Sequence, residues 1–273
     1  MDAKGQLPPD IDLPPAYEES ASSSAATTAQ HSQPPPPAFS ESSGSHAKPT
    51  TLYVAGRFVH TSDSQAPPLF EFSHSVPFLK DTDRKVTMQR LDYSVKHGSS
   101  EVTTRKRHLW DLTHWTVFEM PSYQWQAESS TSKTIGHLGM DMFSTKLFRG
   151  DKSYRVFKAA KGSDKKLIKE TAKTLFTATP PRQEGEVTFE WSDANGQIIA
   201  REIVRDELVG LMITVKLENE MRDALAAAWI MRLWWDLSRG KWGASKRESL
   251  AKAIWNGPSL YSLATDKSLA NGR

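Results

Sequence analysis

Catalysis and metal binding depend on nucleophiles, acid–base groups or ligands held at characteristic spacings. The chain contains no cysteine, so it has no disulfide, zinc-thiolate site or cysteine nucleophile. It also lacks the Gly-x-Ser-x-Gly elbow, the glycine-rich phosphate loop and the His-Glu-x-x-His helix. His108 and His114 are too irregularly placed to define a metal site. Asp81 and Asp83 have acid–base and cation-binding chemistry, but a solvated turn explains them equally well. We therefore predict a non-enzymatic protein with no cofactor and no metal.

One short pattern has a specific binding chemistry. Residues 13–17 read Leu-Pro-Pro-Ala-Tyr, a PPxY sequence that is similar to the ligands of WW domains. Pro14 and Pro15 favour an extended polyproline II conformation that fits an aromatic-lined groove, and Tyr17 supplies an aromatic ring and a hydroxyl for a second pocket. Glu18 and Glu19 add negative charge for a basic partner face. The pattern predicts partner binding through Pro14, Pro15 and Tyr17.

The resemblance of this motif to known WW ligands implies a class of partner. PPxY sequences commonly engage WW domains of HECT-class ubiquitin ligases, which implies an adaptor or substrate in ubiquitin-dependent trafficking. The alternative is that the motif only reflects the composition of a proline-rich linker. The run Pro34 to Pro37 is a weaker candidate for SH3 or WW domains.

The first fifty residues differ in composition from the rest of the chain. They hold nine of the sixteen prolines, runs of Ser, Ala and Thr, and a net charge of −4, which leaves +7 for the remainder. Such a segment cannot bury enough apolar area to offset the conformational entropy of ordering, so we predict that residues 1–50 are a disordered tail. No secretory signal is recognisable at the N-terminus, and we expect a cytoplasmic protein.

From residue 51 onward, short apolar and aromatic runs separated by turn residues are typical of antiparallel strands. Alternation is clear at Val187 to Trp191, and Asp193-Ala194-Asn195-Gly196 supplies a hairpin turn after it. The predicted strands are Leu52 to Val59, Leu69 to Phe72, Val86 to Val95, Trp115 to Trp125, His137 to Phe148, Tyr154 to Ala159, Leu167 to Ala178, Val187 to Trp191, Gln197 to Val204 and Leu208 to Val215.

A long apolar helix follows these strands. Asn219 is a reasonable N-cap, Gly240 a possible C-cap, and Arg232 is the only charged residue between Ala224 and Trp235. A helix that is apolar nearly all round must be buried on all sides. Arg232 can pair with Asp236 four residues later. We predict a helix that is enclosed by sheet.

This order of elements resembles the tubby C-terminal-like superfamily, which includes tubby-like, LURP-one-related and scramblase-like proteins. The resemblance is carried by Leu208 to Leu237, a last apolar strand followed by the apolar helix. It implies a mainly β fold, a closed antiparallel β-barrel enclosing a C-terminal hydrophobic helix, over residues 51–240. Residues 241–273 are predicted to hold an amphipathic helix, Lys246 to Trp255, and a frayed end. The alternatives are an arrestin-like sandwich adaptor and a barrel that binds a small apolar ligand.

The superfamily includes phosphoinositide-binding proteins, so the resemblance implies that basic residues on the barrel bind anionic lipid headgroups. The candidates here are the clusters Arg105, Lys106, Arg107 and Lys165, Lys166. The alternative is that these charges protect sheet edges from pairing with another strand. The resemblance thus implies a possible peripheral position at membranes. The apolar helix is too short and too interrupted for a transmembrane segment, and most tryptophans fall in the predicted strands and helix, so we expect them in the core and predict no nucleic-acid partner.

Overall fold

The computed structural model describes residues 46–62, 66–95, 102–115, 122–144, 152–162, 166–182, 185–205 and 208–238. Pro14, Pro15 and Tyr17, the predicted helix Lys246 to Trp255, and Lys165 therefore lie outside the described residues. Within these ranges the chain forms fourteen strands, one short 3-10 turn at Val76–Phe78 and one α-helix, α1, at Asn219–Ser238. The strands are β1 His46–Ala47, β2 Thr50–Ala55, β3 Phe58–Thr61, β4 Phe70–Phe72, β5 Lys85–Val95, β6 Val102–His114, β7 Trp125–Ser129, β8 His137–Ser144, β9 Lys152–Lys161, β10 Leu167–Thr179, β11 Val187–Asp193, β12 Ile198–Arg205, β13 Leu208–Ile213 and β14 Leu217–Glu218.

Twelve of these strands close into one antiparallel barrel. The order runs β10-β11-β12-β13-β2-β3-β4-β5-β6-β7-β8-β9, and β9 pairs back with β10 to close the ring. The short strands β1 and β14 form a separate two-stranded ladder. The predicted fold class, a mainly β closed barrel with a C-terminal helix, is confirmed. The fold is therefore not the two-sheet sandwich that the arrestin-like alternative requires.

The helix α1 fills the barrel. Every residue from Arg222 to Leu237 is buried, on all sides of the helix. The apolar side chains of α1 belong to the same core cluster as inward-facing strand residues such as Trp110, Trp125 and Trp191. A helix packed on one side only would leave a polar face in water. The predicted enclosure of the helix is confirmed.

The two ends of the barrel are distinguished by where α1 starts and stops. β13 ends at Ile213 and α1 begins six residues later, so the helix enters at the end we call the upper end. At the other, lower end, Nε1 of Trp234 donates a hydrogen bond to the carbonyl oxygen of Lys80 (3.0 Å), in the connection between β4 and β5. The antiparallel register places the joined ends of β5 and β6, of β9 and β10, and of β11 and β12 at the upper end.

Several predicted strand bounds are wrong. The segment Leu52 to Val59 is two strands, because Gly56 and Arg57 form a tight turn in which Gly56 has a φ of 59°, a backbone conformation that favours glycine. Of the predicted strand Trp115 to Trp125, residues 116–121 lie outside the described residues, and Trp115 and residues 122–124 belong to no strand, since β6 ends at His114 and β7 begins at Trp125. The turn at Asp193 to Gly196 is confirmed, with a 3.1 Å hydrogen bond between the Gly196 nitrogen and the Asp193 carbonyl.

Candidate functional site

The predicted basic cluster lies on a ribbon that extends past the barrel wall. β6 pairs with β5 along its length, from Val95 opposite Val102 to Lys85 opposite Thr113. Its other neighbour, β7, pairs only with Trp110 to His114, and β4 pairs with β5 only as far as Arg90. Residues 91–95 and 102–106 therefore form a two-stranded extension at the upper end, which we call, together with Arg107 and His108 at its base, the β5–β6 ribbon.

The three basic side chains of the ribbon differ in their exposure and in their ion-pair partners. Arg105 is exposed. Lys106 forms an ion pair with Glu71 (Nζ to Oε2, 2.7 Å), which also pairs with Arg57. Arg107 donates from Nη2 to Oδ2 of Asp92 (2.6 Å). The free edge of β6 is also a place where charged side chains discourage pairing with a foreign strand, so both roles predicted for this cluster are compatible with its position.

Lys166 is exposed at the start of β10, also at the upper end of the barrel. The structure thus brings Arg105, Lys106 and Arg107 on β6 and Lys166, just before β10, to one end of the barrel. β7, β8 and β9 separate these two strands in the barrel order. These four residues lie in two separate patches on the same rim, while the fifth predicted residue, Lys165, lies outside the described residues.

A chain of ion pairs connects the ribbon to the start of α1. Asp92 accepts from Arg107 and lies 3.1 Å from Nε of Arg90. Arg90 in turn donates from Nη1 to Oδ2 of Asp223 (2.8 Å), and Arg222 donates to the other oxygen of Asp223 (3.0 Å). Three arginines share two aspartates here, so this upper ion chain carries one net positive charge. Burial lowers the pKa of Arg222, and the carboxylate of Asp223 partly opposes that shift.

A second ionic cluster lies inside the barrel, between α1 and three strands. Arg232 contacts Oε1 of Glu202 and donates from Nη1 to Oδ2 of Asp236 (2.8 Å). The hydroxyl of Tyr154 donates to Oδ1 of Asp236 (2.7 Å), and the guanidinium of Arg232 lies 4.4 Å from the ring centroid of Phe189. The predicted pair between Arg232 and Asp236 is confirmed, and Glu202 is a partner that the sequence analysis missed. We call Arg232, Glu202, Asp236 and Tyr154 the interior cluster.

The interior cluster holds two carboxyl groups and one cation. Burial raises the pKa of Glu202 to about 7, although Arg232 acts in the opposite direction. Oε2 of Glu202 is buried without a hydrogen-bond partner among the described residues. Burial and the neighbouring Asp236 also raise the pKa of Tyr154. The side chains of Arg232 and Glu202 are buried and that of Asp236 is 10% exposed, so the geometry is that of a structural ion cluster and not of an open cleft.

A pocket of about 410 Å³ opens at the upper end, between β10, the turn after β11 and the start of α1. Its polar wall includes Asp193, which accepts from the nitrogens of Asn195 and Gln197 (both 2.9 Å), and Lys216 lies at its rim. Its apolar wall is formed by Leu175, Phe176, Ile199, Val215, Leu217 and Met221. The pocket has room and apolar surface for a small ligand.

The other candidate groups have structural contacts. His108 pairs with Asp111 (2.9 Å), and His114 is buried with its ring stacked on Trp125 at 4.1 Å. Oδ2 of Asp83 accepts from the backbone nitrogen of Lys80 (2.7 Å), which fits the solvated-turn interpretation. No group of three or more histidine, aspartate or glutamate side chains in the described ranges could hold a metal ion.

Six of the seven tryptophans among the described residues lie in the core, a common position for large aromatic side chains. The buried ones are Trp110, Trp125, Trp191, Trp229, Trp234 and Trp235. No helix among the described residues combines the length and the apolar content that crossing a bilayer requires.

No family model, curated protein or solved structure matches the chain.

Proposed function

We propose that this protein is a non-enzymatic adaptor of the tubby C-terminal-like superfamily, whose barrel binds anionic lipid headgroups at its upper end. The observation that supports this most is the β5–β6 ribbon, which presents Arg105 to solvent beside an ion chain that has more arginines than aspartates. An anionic membrane surface attracts such a rim. The closed barrel filled by a helix is the architecture that the superfamily resemblance implies.

Vesicle co-sedimentation tests lipid binding. The full-length protein is mixed with vesicles of phosphatidylcholine alone, or with added phosphatidylserine or phosphatidylinositol bisphosphate. The variant Arg105→Ala/Lys166→Ala removes two upper-end cations, and since each cation near an anionic surface contributes about 1 kcal/mol, we expect binding to weaken about 30-fold. The matched control is Lys80→Ala/Arg182→Ala, which removes two exposed cations at the lower end. Equal losses in the two variants would contradict the proposed surface.

The second half of the proposal is that Pro14, Pro15 and Tyr17 recruit a WW-domain partner, such as a HECT-class ubiquitin ligase. The pattern of the motif supports this, since two prolines and a tyrosine match the groove and pocket of a WW domain. Titration of a WW-domain panel should show binding to the full-length chain that Tyr17→Ala weakens at least about tenfold. Tyr261→Ala and Pro258→Ala, which change the same residue types outside the motif and outside the run Pro34 to Pro37, should bind like the wild type. If Tyr17→Ala binds the WW domains with the affinity of the wild type, this half of the proposal is wrong. That result would not affect the lipid-binding half.

A small apolar ligand in the upper-end pocket is a second candidate function. The apolar wall formed by residues such as Phe176, Ile199 and Met221 favours it. The interior of the barrel does not, because α1 fills it. A fluorescent fatty acid should bind the wild type, and Met221→Trp, which places a larger side chain in the pocket, should abolish that binding. Retained binding in the variant would place the ligand elsewhere.

A further inference from the structure

One edge of the β5–β6 ribbon has no neighbouring strand. β7 pairs with β6 only from Trp110 to His114. The last backbone hydrogen bond on this side of β6 is at the base of the ribbon, where the nitrogen of Ser130 donates to the carbonyl of Leu109 (2.9 Å). Among the described residues, no strand pairs with residues 102–107 on the side opposite β5. We call residues 102–107 the free edge of β6.

The outer edge of β5, on the other side of the ribbon, is different. The nitrogen of Leu91 donates to the carbonyl of Leu69, and the hydroxyl of Tyr93 donates to the carbonyl of Pro68 (both 3.0 Å). The segment before β4 therefore lies along β5 where the ribbon leaves the barrel. On β6, successive residues direct their N–H and C=O groups alternately to the two sides of the strand. About three of the six residues of the free edge thus point these groups away from β5.

The free edge has few of the features that usually prevent an exposed strand from pairing. Native sheets shorten such edges, bend them with bulges or interrupt them with proline. Residues 102–107 include no proline or glycine, and their pairing with β5 is continuous from Val102 to Arg107. The edge is about 20 Å long when extended, which is the length of an average strand. It is therefore long and regular enough to accept another strand, and only its charge opposes pairing.

This charge selects the kind of strand that can bind. Arg105 is exposed and has no ion pair among the described residues, and Lys106 is about half exposed although it pairs with Glu71. Adjacent residues project from opposite faces of a strand, so an added strand meets one cation on each face. Opposite charges on neighbouring strands stabilise their pairing, and like charges oppose it. The free edge therefore favours an acidic strand. A second copy of β6 would bring two sets of these cations together.

We infer that the free edge of β6 binds an extended acidic segment of another protein by strand addition, with Arg105 and Lys106 facing its carboxylates. In this mode of recognition, main-chain hydrogen bonds supply affinity and side-chain contacts supply selectivity. The inference goes beyond the proposed lipid binding, because a lipid headgroup contacts side chains only, whereas a strand also uses the backbone groups of the edge. Arg105 takes part in both, so the experiment is carried out without lipid.

Three fluorescent peptides test the inference by anisotropy with the full-length protein. The probe is the capped hexapeptide Thr-Val-Glu-Glu-Val-Thr, whose adjacent glutamates face opposite sides of a strand. One control peptide has lysine in place of both glutamates. The other is N-methylated at both glutamates, which keeps the charges but removes one N–H donor on each edge of the peptide. We expect the probe to bind and each control peptide to bind at least about tenfold more weakly.

Two protein variants and hydrogen exchange locate the site. Arg105→Glu reverses an exposed charge on the free edge, and we expect it to weaken binding of the probe about tenfold. The matched control is Lys158→Glu, which reverses an exposed charge on β9, where both neighbouring strands are paired, and this variant should bind like the wild type. In the wild type the probe should slow backbone hydrogen exchange in residues 102–107 and leave residues 152–161 unchanged.

Several results would overturn the inference. If the probe does not bind, or if the lysine peptide binds as tightly, the edge does not select an acidic strand. If the N-methylated peptide binds as tightly, the contact is ionic only and no strand is added. Slow exchange in residues 102–107 without any peptide would mean that the edge is already covered. The cover is a second copy if protection rises with protein concentration, and another segment of the same chain if it does not. None of these results changes the outcome of vesicle co-sedimentation, so the lipid-binding proposal is tested separately.

Discussion

Two largely buried carboxyl groups on the barrel wall, Glu71 and Glu202, have pKa values that are shifted in opposite directions. Glu71 lies on β4 between Phe70 and Phe72, whose side chains enter the core, so its own side chain is on the outer face. Glu202 lies on β12 and points inward to Arg232. Only about 6% of Glu71 and none of Glu202 is exposed. Nevertheless the pKa of Glu71 is lowered and that of Glu202 is raised.

The opposite pKa shifts follow from the number of cations that contact each carboxylate and from the solvent exposure of those cations. Burial acts to raise the pKa of Glu71, but the hydrogen bond from Lys106 and the charge of Arg57 outweigh it. Both of these cations are about half exposed, so they remain hydrated. Glu202 shares Arg232 with Asp236, and that guanidinium is itself buried. One cation for two enclosed carboxyl groups leaves burial as the dominant influence.

Removing the cation of the interior cluster should have the largest effect on stability. Arg232→Met leaves Glu202 and Asp236 buried without a positive partner, and breaking a buried pair in this way costs about 3–5 kcal/mol of the free energy of unfolding. Urea denaturation measures it. The matched control is Arg107→Met, because Arg107 and Asp92 are partly exposed and such pairs contribute below about 1 kcal/mol. If the two variants lose similar free energies of unfolding, burial of an ion pair does not determine its contribution to stability.

The pH dependence of stability should differ in sign between the two carboxyl groups. Because the pKa of Glu202 is raised from 4.5 to about 7, the folded state holds this proton more tightly than the unfolded chain does. Its contribution is complete below pH 4.5 and is lost as pH rises through 7. Glu202→Gln stays neutral, so its stability relative to wild type should rise over this window, by up to about 3 kcal/mol.

Glu71→Gln is the matched variant for this experiment. Because the pKa of Glu71 is lowered, the contribution of this group is present above pH 4.5 and is lost as pH falls below that value. The stability of Glu71→Gln relative to wild type should therefore fall as pH rises from the acid side. Unfolding free energies of the three proteins across the pH range measure both slopes. Slopes of the same sign would mean that burial alone sets the two pKa values.

The sequence predicted the parts of this comparison that depend on local spacing. The helix with one charged residue between Ala224 and Trp235 had to be enclosed, and Arg232 with Asp236 four residues later had to meet on one face. Glu202 could not be predicted, because thirty residues separate it from Arg232 and only the register of the barrel brings them together. The ion pairs of Glu71 were missed for the same reason. Arg57 lies in the turn before β3 and Lys106 lies on β6, so both are distant from Glu71 in the sequence.

The ribbon was also only partly predictable. Val86 to Val95 was recognised because its inner half alternates, but Val102 to His108 was not. Residues 102–106 are all exposed, and an exposed strand needs no apolar alternation, so the period-2 signal of a strand is lost there. The run Arg105 to Arg107 therefore indicated positive charge without indicating the element that carries it. An exposed strand of this kind can be predicted only when the strand that pairs with it has a recognisable apolar pattern.

The smallest expected effect tests whether Glu71 really has two interchangeable cations. Arg57→Ala and Lys106→Ala should each reduce the free energy of unfolding by less than about 1 kcal/mol, because the remaining cation still neutralises the carboxylate. The double variant leaves Glu71 buried without a positive partner, and we expect it to cost about 1 kcal/mol more than the sum of the two single changes. Urea denaturation of the four proteins closes this cycle. Additive effects would mean that neither cation is needed to stabilise the carboxylate of Glu71. The difference between Glu71 and Glu202 would then depend only on how deeply each group is buried.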